Sequence, residues 1–261
     1  MLTKAELSTR LSTIEGWLFA DEAWELYHSA ASLGHPTPTV VEIGSWKGKS
    51  TIALALGLLE SAGGNLYAID PHMGSSESPA LDTYADFLHN IKSAAVSSVV
   101  TPLRMRSHDA RERFRPASVD LLFVDGSHEY EDVLRDIDDW SPTLTDGAII
   151  GFNDPLSPGV CRALLQRVVV SGSPFHNRRL VNNTMFFRFG ISMRSAQNPA
   201  TMRRARALLR ALLIVQTLAD HVRPYLAPWL RRGGHRVLDN LRSRFAERED
   251  VGAEGVRRLG L

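Results

Sequence analysis

The sequence has little of what marks a secreted or membrane-embedded protein. It contains one cysteine, Cys161, in 261 residues, so no intrachain disulfide can form and a disulfide-stapled secreted scaffold is excluded. The N-terminal stretch MLTKAELSTR has no apolar core of a signal peptide. No run approaches the roughly 18 apolar residues that a membrane-spanning helix requires. These absences predict a cytoplasmic protein in a reducing compartment, with Cys161 as a buried thiol.

The chain as a whole also has no large excess of positive or negative charge. The net charge is +1 and 23% of residues are charged, which excludes a strongly basic nucleic-acid binder and an acidic disordered chain. The charge is nevertheless uneven, because residues 196–261 carry 13 Arg against 6 Asp and Glu. This shift in composition predicts N-terminal helices over 1–35, a central domain over 36–194 and a basic helical extension over 195–261.

Strand and helix patterns alternate through the central domain. Five buried strands are predicted in VVEIG, NLYAID, VVTPLRM, VDLLFVD and DGAIIGFND, with helical patterns between them and over residues 4–32. FHNRRLV and TMFFRFG then flank Asn182-Asn183, a two-residue hairpin turn. The third strand contains Pro102, which argues against a central position. The pattern predicts an α/β fold: a doubly wound, Rossmann-like, seven-stranded and mostly parallel sheet with a C-terminal antiparallel hairpin and an α-helical C-terminal extension.

The glycine-rich stretch VVEIGSWKGKST follows the first strand. Gly44 and Gly48 enclose three residues, one fewer than a P-loop needs, and the spacing also fails the dinucleotide fingerprint. What remains is a strand with an acid, Glu42, two positions before a glycine bend that allows close approach of the backbone to a ligand. In the simpler alternative, the glycines only form a turn.

Asp70 ends the second predicted strand, where a carboxylate can accept both hydroxyls of a ribose. Glu42 suits an amino group or a bound water network. A glycine bend, a ribose-binding acid and an ammonium-facing acid together match S-adenosylmethionine better than ATP or NAD. The alternative is that Asp70 caps a helix.

These motifs resemble those of class I S-adenosylmethionine-dependent methyltransferases. The matching stretches are EIGSWKGKST, AIDP, FVDGSHEYEDVLRDIDDW and DGAIIGFNDP, over roughly residues 10–190. They are most similar to a small branch that includes metal-dependent sugar O-methyltransferases of macrolide and aminocoumarin tailoring and of methylated polysaccharide synthesis. The predicted cofactor-binding residues are Glu42, Gly44, Ser45, Gly48, Ser50, Thr51, Asp70, Ser107 and Asp125.

Acidic and amide side chains follow the fourth and fifth predicted strands. Asp125 ends the fourth strand and Asn153-Asp154 ends the fifth, so the fold would bring all three to one rim of the sheet. Two carboxylates and an amide oxygen suit Mg²⁺, and the resemblance implies a divalent ion at these strand ends. Asn153 stands where relatives often have His or Asp, and Ser127 where some have a second Asp.

His128 is the predicted general base, because its proton affinity suits neutral pH, and Asp125 is the second predicted catalytic residue. His128 could instead cap the following helix or contact the cofactor ring. The acids of that helix, from Glu131 to Asp139, are expected to form a solvated face.

The basic tail carries an apolar stripe beside an arginine cluster at Arg203–Arg210. It is expected to pack on its own domain or on a second copy in a homo-oligomer such as a dimer, or to contact a membrane surface peripherally. Nucleic acid is not an expected partner.

The sequence therefore predicts an S-adenosylmethionine-dependent, Mg²⁺-assisted O-methyltransferase acting on a hydroxyl of a sugar, oligosaccharide or glycosylated metabolite. Two alternatives stay open. One is a metal-independent O-methyltransferase for a phenol or other small molecule. The other is a cofactor-binding or hydroxylase-like protein that transfers no methyl group.

Overall fold

The structure is a computed structural model. It describes residues 1–61, 63–74, 82–170 and 172–190, together with the isolated positions Ala207 and Ala211. The predicted basic extension, and with it the predicted dimer and membrane contacts of the tail, lie outside the described residues.

A seven-stranded sheet forms the centre of the molecule, in the order β3-β2-β1-β4-β5-β7-β6. Strands β1 to β5 are parallel, and β7 runs antiparallel to both β5 and β6. The strands are β1 Thr39–Ile43, β2 Asn65–Ile69, β3 Val100–Leu103, β4 Val119–Val124, β5 Leu144–Asn153, β6 Phe175–Val181 and β7 Thr184–Phe189. The predicted fold class and hairpin are confirmed, and Pro102 lies in an edge strand, where its missing N–H is tolerated.

Helices cover both faces of the sheet, each connecting or flanking the strands. They are α1 Lys4–Leu11, α2 Ala20–Ala31, α3 Lys49–Glu60, α4 Tyr84–Ser93, α5 Ser107–Arg111, α6 Tyr130–Trp140 and α7 Pro158–Arg167, with a short 3₁₀ turn at Ser141–Thr143. The helical region expected over residues 4–32 is two helices, because residues 12–19 interrupt it. No helix in the described ranges is long and apolar enough to cross a membrane.

Two hydrophobic cores lie on the opposite faces of the sheet. One joins α1, α2, α3 and α4 to the sheet and contains Leu26, Ile52 and Phe87; the other joins α5, α6 and α7 to it and contains Leu122, Trp140 and Leu164. Because β4 is covered on both faces, its residues, VDLLFV, are almost all apolar.

The topology fixes where a ligand can bind. From β1 the chain continues to β2 and β3 on one side, whereas β4 and β5 pair on the other side. The carboxyl ends of β1 and β4 are therefore next to each other at the point where the strand order reverses, and such a point opens a crevice for ligands.

Candidate functional site

The glycine loop between β1 and α3 lies against the end of β4. The Gly44 N–H donates to the Ile69 carbonyl at 2.8 Å, and the Asp125 N–H donates to the Ile43 carbonyl at 2.8 Å. Gly44 has φ +89°, and a Cβ at this position would be 2.1 Å from the Asp125 carbonyl oxygen. Only glycine allows this approach, so the loop is held directly beside the residues that follow β4.

Glu42 lies fully buried in β1. The Thr51 hydroxyl in the first turn of α3 donates to its Oε2, and the nearby Ser50 side chain lowers the pKa of the carboxyl. Burial raises the pKa of Glu42 to about 8 despite these bonds. Glu42 is thus a neutral acid at pH 7, and the structure places Ser50 and Thr51 as its partners.

Two buried polar atoms at this end of β1 have no partner among the described residues. They are Glu42 Oε1 and Ser45 Oγ. A buried polar atom without a partner is costly and normally marks a place where a ligand or water binds. The predicted cofactor residues Glu42 and Ser45 therefore suit a polar ligand in this crevice.

Asp70 follows β2 and lies beside the same loop. Its Oδ2 accepts the Trp46 N–H at 2.8 Å and its Oδ1 accepts the His72 N–H at 2.6 Å. A carboxylate has about four lone-pair sites, so each oxygen can accept a further hydroxyl. The structure thus gives Asp70 a role in fixing the glycine loop, and its role toward a ribose stays a prediction.

Ser107 begins α5 and donates its hydroxyl to Asp136 on α6. Asp136 is buried, and burial raises its pKa to about 6. The expectation of a fully solvated acidic face on α6 is therefore wrong at Asp136. Contact between Ser107 and the cofactor stays a prediction.

The structure brings Asp125, Asn153 and Asp154 together at the rim. The Asn153 amide nitrogen donates to Asp125 Oδ1 at 2.7 Å, and its Oδ1 accepts the Thr184 hydroxyl at 3.1 Å. Asp154 has φ +49°, and its Oδ1 accepts the side-chain amide of Asn183. Burial raises the pKa of Asp125, and contacts with His128 and Asn153 oppose that shift.

His128 lies between the two carboxylates. Its Nε2 is 3.9 Å from Asp125 Oδ1 and 3.5 Å from Asp154 Oδ2. A Cβ on Gly159, at the start of α7, would be 2.1 Å from the His128 carbonyl oxygen, so the helix backbone packs directly on this residue. The His128 side chain is about one third exposed, whereas its Nε2, the nitrogen that faces the carboxylates, is buried.

The side-chain amide of Asn153 is not oriented as a metal ligand beside Asp125. Asn153 turns its nitrogen toward Asp125 and its oxygen toward Thr184. In the described part of the chain, no group of three or more His, Cys, Asp or Glu side chains is placed to hold a metal ion. The predicted trio is thus a hydrogen-bonded network, in which the carboxylates suit Mg²⁺ and the amide, as oriented, does not.

Three residues of this network were missed from the sequence: Glu22, Asn183 and Thr184. The Asn183 N–H donates to Glu22 Oε1 at 2.8 Å, and the Thr184 hydroxyl oxygen is 3.0 Å from the same atom. The only available signal was an acid at a helix start, which usually remains in solvent.

Comparisons with known proteins agree with this geometry. Residues 41–155 match the sequence profile of a family described as "Methyltransferase domain". A 52-residue stretch is 40% identical to y4gI, an uncharacterised protein of Sinorhizobium fredii, but it covers 20% of this chain and only 6% of that protein.

Three solved structures share the fold at low sequence identity. Cofactor-bound Rv0187 from MTB has 16% identity and TM-score 0.54 over 72% of this chain and 88% of that chain. The O-methyltransferase TomG from Streptomyces achromogenes, in complex with SAM, has 16% identity and TM-score 0.51 over 72% and 87%. The Bacillus cereus O-methyltransferase, in complex with SAH, has 14% identity and TM-score 0.52 over 72% and 90%. Residues 41–155 are therefore similar to a methyltransferase domain, and they lie on a Rossmann-like sheet.

Proposed function

We propose that the protein is an S-adenosylmethionine-dependent O-methyltransferase in which His128 is the general base, and that its acceptor is a hydroxyl of a sugar, oligosaccharide or glycosylated metabolite. The observation that carries the proposal is the position of His128 Nε2 between Asp125 and Asp154. This arrangement lies beside the glycine loop at the switch point of a methyltransferase domain.

The crevice between β1 and β4 would hold the donor. Asp70 has lone pairs left for the ribose hydroxyls, while Glu42 Oε1 and Ser45 Oγ are buried without partners in the described residues. When bound, the donor supplies an electrophilic methyl group on a sulfonium that is already a good leaving group. The protein's task is then mainly to align the acceptor hydroxyl with that methyl group.

The second task is removal of the acceptor proton. A hydroxyl is a weak nucleophile at neutral pH, and an imidazole within hydrogen-bond reach can accept its proton as the new bond forms. Asp125 and Asp154 orient the ring and stabilise the positive charge that it gains. Because both carboxylates are partly enclosed, this attraction is less screened than at an open surface.

The acceptor class rests on the sequence motifs. Their resemblance to sugar O-methyltransferases supports a sugar hydroxyl as the acceptor. A phenolic acceptor with the same base is the alternative that the same site would serve.

A cation-assisted reaction is a second candidate, favoured by the position of two carboxylates within 4 Å of His128 Nε2. Asp125 and Asp154 would hold the ion. The orientation of Asn153 toward Asp125 does not support its predicted place as third ligand.

The test is transfer of a labelled methyl group from S-adenosylmethionine to a panel of monosaccharides, oligosaccharides and phenols. Each acceptor is assayed with Mg²⁺ and with excess chelator. Transfer to a sugar supports the proposal, and transfer to phenols alone would replace its acceptor class. Loss of activity in chelator that Mg²⁺ restores would establish the cation-assisted route. If calorimetry shows donor binding but no acceptor is methylated, the non-transferring alternative stands.

A further inference from the structure

Glu22 connects helix α2 to the candidate site. This residue lies outside residues 41–155, which match the methyltransferase profile. It is fully buried in the first turn of α2. Three polar groups lie within hydrogen-bond distance of its carboxyl: the Phe19 N–H at 2.9 Å from Oε2, and the Asn183 N–H and Thr184 hydroxyl next to Oε1. Burying an acid is costly, so its place here requires a reason beyond helix capping.

The two hairpin residues bound by Glu22 also bind the rim residues. Thr184 is paired in register with Asn153, and its hydroxyl is 3.1 Å from Asn153 Oδ1. Asn183 accepts the Asp154 N–H at 2.9 Å through its carbonyl and donates its side-chain amide to Asp154 Oδ1. Glu22 therefore binds Asn183, the partner of Asp154, directly, and reaches Asn153, the partner of Asp125, through Thr184.

We propose that Glu22 is a positioning residue for the methyl-transfer site, which acts on Asp125 through Thr184 and Asn153 and on Asp154 through Asn183. The proposal rests on the proposed function, because the site it positions is the one built around His128. The hydrogen bonds of Glu22 go to Phe19, Asn183 and Thr184 and not to those carboxylates, so its effect on them is indirect.

The number of available protons sets the donor-to-acceptor direction of the hydrogen bonds that connect Glu22 to Asp125. The Thr184 hydroxyl has one proton but lies between two oxygens, Glu22 Oε1 at 3.0 Å and Asn153 Oδ1 at 3.1 Å. The Glu22–Thr184 and Thr184–Asn153 contacts are both hydrogen bonds only if Glu22 is protonated. Glu22 then donates to Thr184, and Thr184 donates to Asn153. Asn153 in turn donates to Asp125 Oδ1 at 2.7 Å, so every link from α2 to β4 is a hydrogen bond.

The surroundings of Glu22 favour this neutral form. Burial raises its pKa to about 7, and repulsion from Asp125 acts in the same direction. The charged groups on the neighbouring elements are largely paired elsewhere: Lys4 on α1 binds Asp21, Arg179 on β6 binds Glu25, and Lys49 on α3 binds the Gly16 carbonyl.

The test removes the Thr184 hydroxyl with little change of shape. Thr184→Val removes the central hydrogen bonds of the series from Glu22 to Asp125. Thr184→Ser, which keeps the hydroxyl, is the matched control. Side-chain amide signals of Asn153 are followed by NMR in ¹⁵N-labelled full-length protein and assigned by their loss in Asn153→Asp. We expect these signals to shift in Thr184→Val and Glu22→Gln and to stay in place in Thr184→Ser.

Activity gives the second readout. With the acceptor found in the labelled-methyl assay, Thr184→Val should lower kcat about tenfold, equivalent to about 1.4 kcal/mol, with KM for donor and acceptor unchanged. A purely structural role would lower Tm and leave kcat and the Asn153 signals as in the wild type, which would overturn the proposal. The NMR arm needs no acceptor, so failure of the proposed function and failure of this inference are distinguishable.

Discussion

Replacing Glu42 by Gln should change how the stability of the protein depends on pH. Glu42 is fully buried in β1, and burial raises its pKa to about 8 in the folded state. In the unfolded chain a glutamate has a pKa of about 4.3. Between these two values the folded protein holds a proton that the unfolded chain has released.

The sign of the effect follows from this difference in bound protons. Below pH of about 4.3 both states are protonated at this residue, and its contribution is fully present. As pH rises toward 8, the free energy of unfolding falls by about 1.4 kcal/mol per pH unit from this group alone. Between pH 6 and pH 8 the loss is about 2 to 3 kcal/mol. Glutamine does not titrate, keeps an oxygen for the Thr51 hydroxyl, and so should remove this slope.

The assay is denaturant unfolding of the cofactor-free protein at pH 6, 7 and 8. Glu42→Gln should gain stability over the wild type by about 2 to 3 kcal/mol across this interval. Glu131→Gln, on the exposed side of α6, serves as control and should run parallel to the wild type. If the free energy of unfolding changes with pH by the same amount in Glu42→Gln and in the wild type, the assignment of Glu42 as a buried neutral acid is refuted.

Two further substitutions test the crevice. Gly44→Ala should abolish donor binding and destabilise the fold because its Cβ would be 2.1 Å from the Asp125 carbonyl oxygen; Gly147→Ala, with a similar φ of +87° but nothing within 4 Å, isolates the cost of backbone strain. Equal Tm losses in the two variants would contradict the steric argument. Asp70→Asn should weaken donor binding by about tenfold or more in calorimetry, since an NH₂ group would face the Trp46 or His72 N–H. Asp132→Asn on α6 should bind as the wild type does, and unchanged affinity in Asp70→Asn would remove Asp70 from the site.

The sheet could be predicted from the sequence because its signals are local. Buried parallel strands are continuous apolar runs, as in VDLLFV, and Asn182-Asn183 is a hairpin turn. The location of Asp125, Asn153 and Asp154 at one rim followed from the strand order alone. These features depend on which elements exist and how they are connected, not on side-chain orientation.

The orientation of the rim side chains could not be predicted. Whether Asn153 presents its oxygen or its nitrogen to Asp125 depends on Thr184, which is 31 positions away in the chain. Glu22 binds residues 161 and 162 positions away, and no local pattern marks such a contact. Burial of Asp136 against Ser107 depends in the same way on the packing of α5 on α6.

The most direct test of His128 as the general base is the rate of labelled-methyl transfer by His128→Gln. With the acceptor identified, this variant should retain donor affinity but lose kcat by about 10² to 10⁴, the usual contribution of a general base. His89→Gln, an exposed histidine on α4, should keep the wild-type rate. A kcat for His128→Gln within a factor of about two of the wild type would contradict the assignment of this imidazole as the group that receives the acceptor proton.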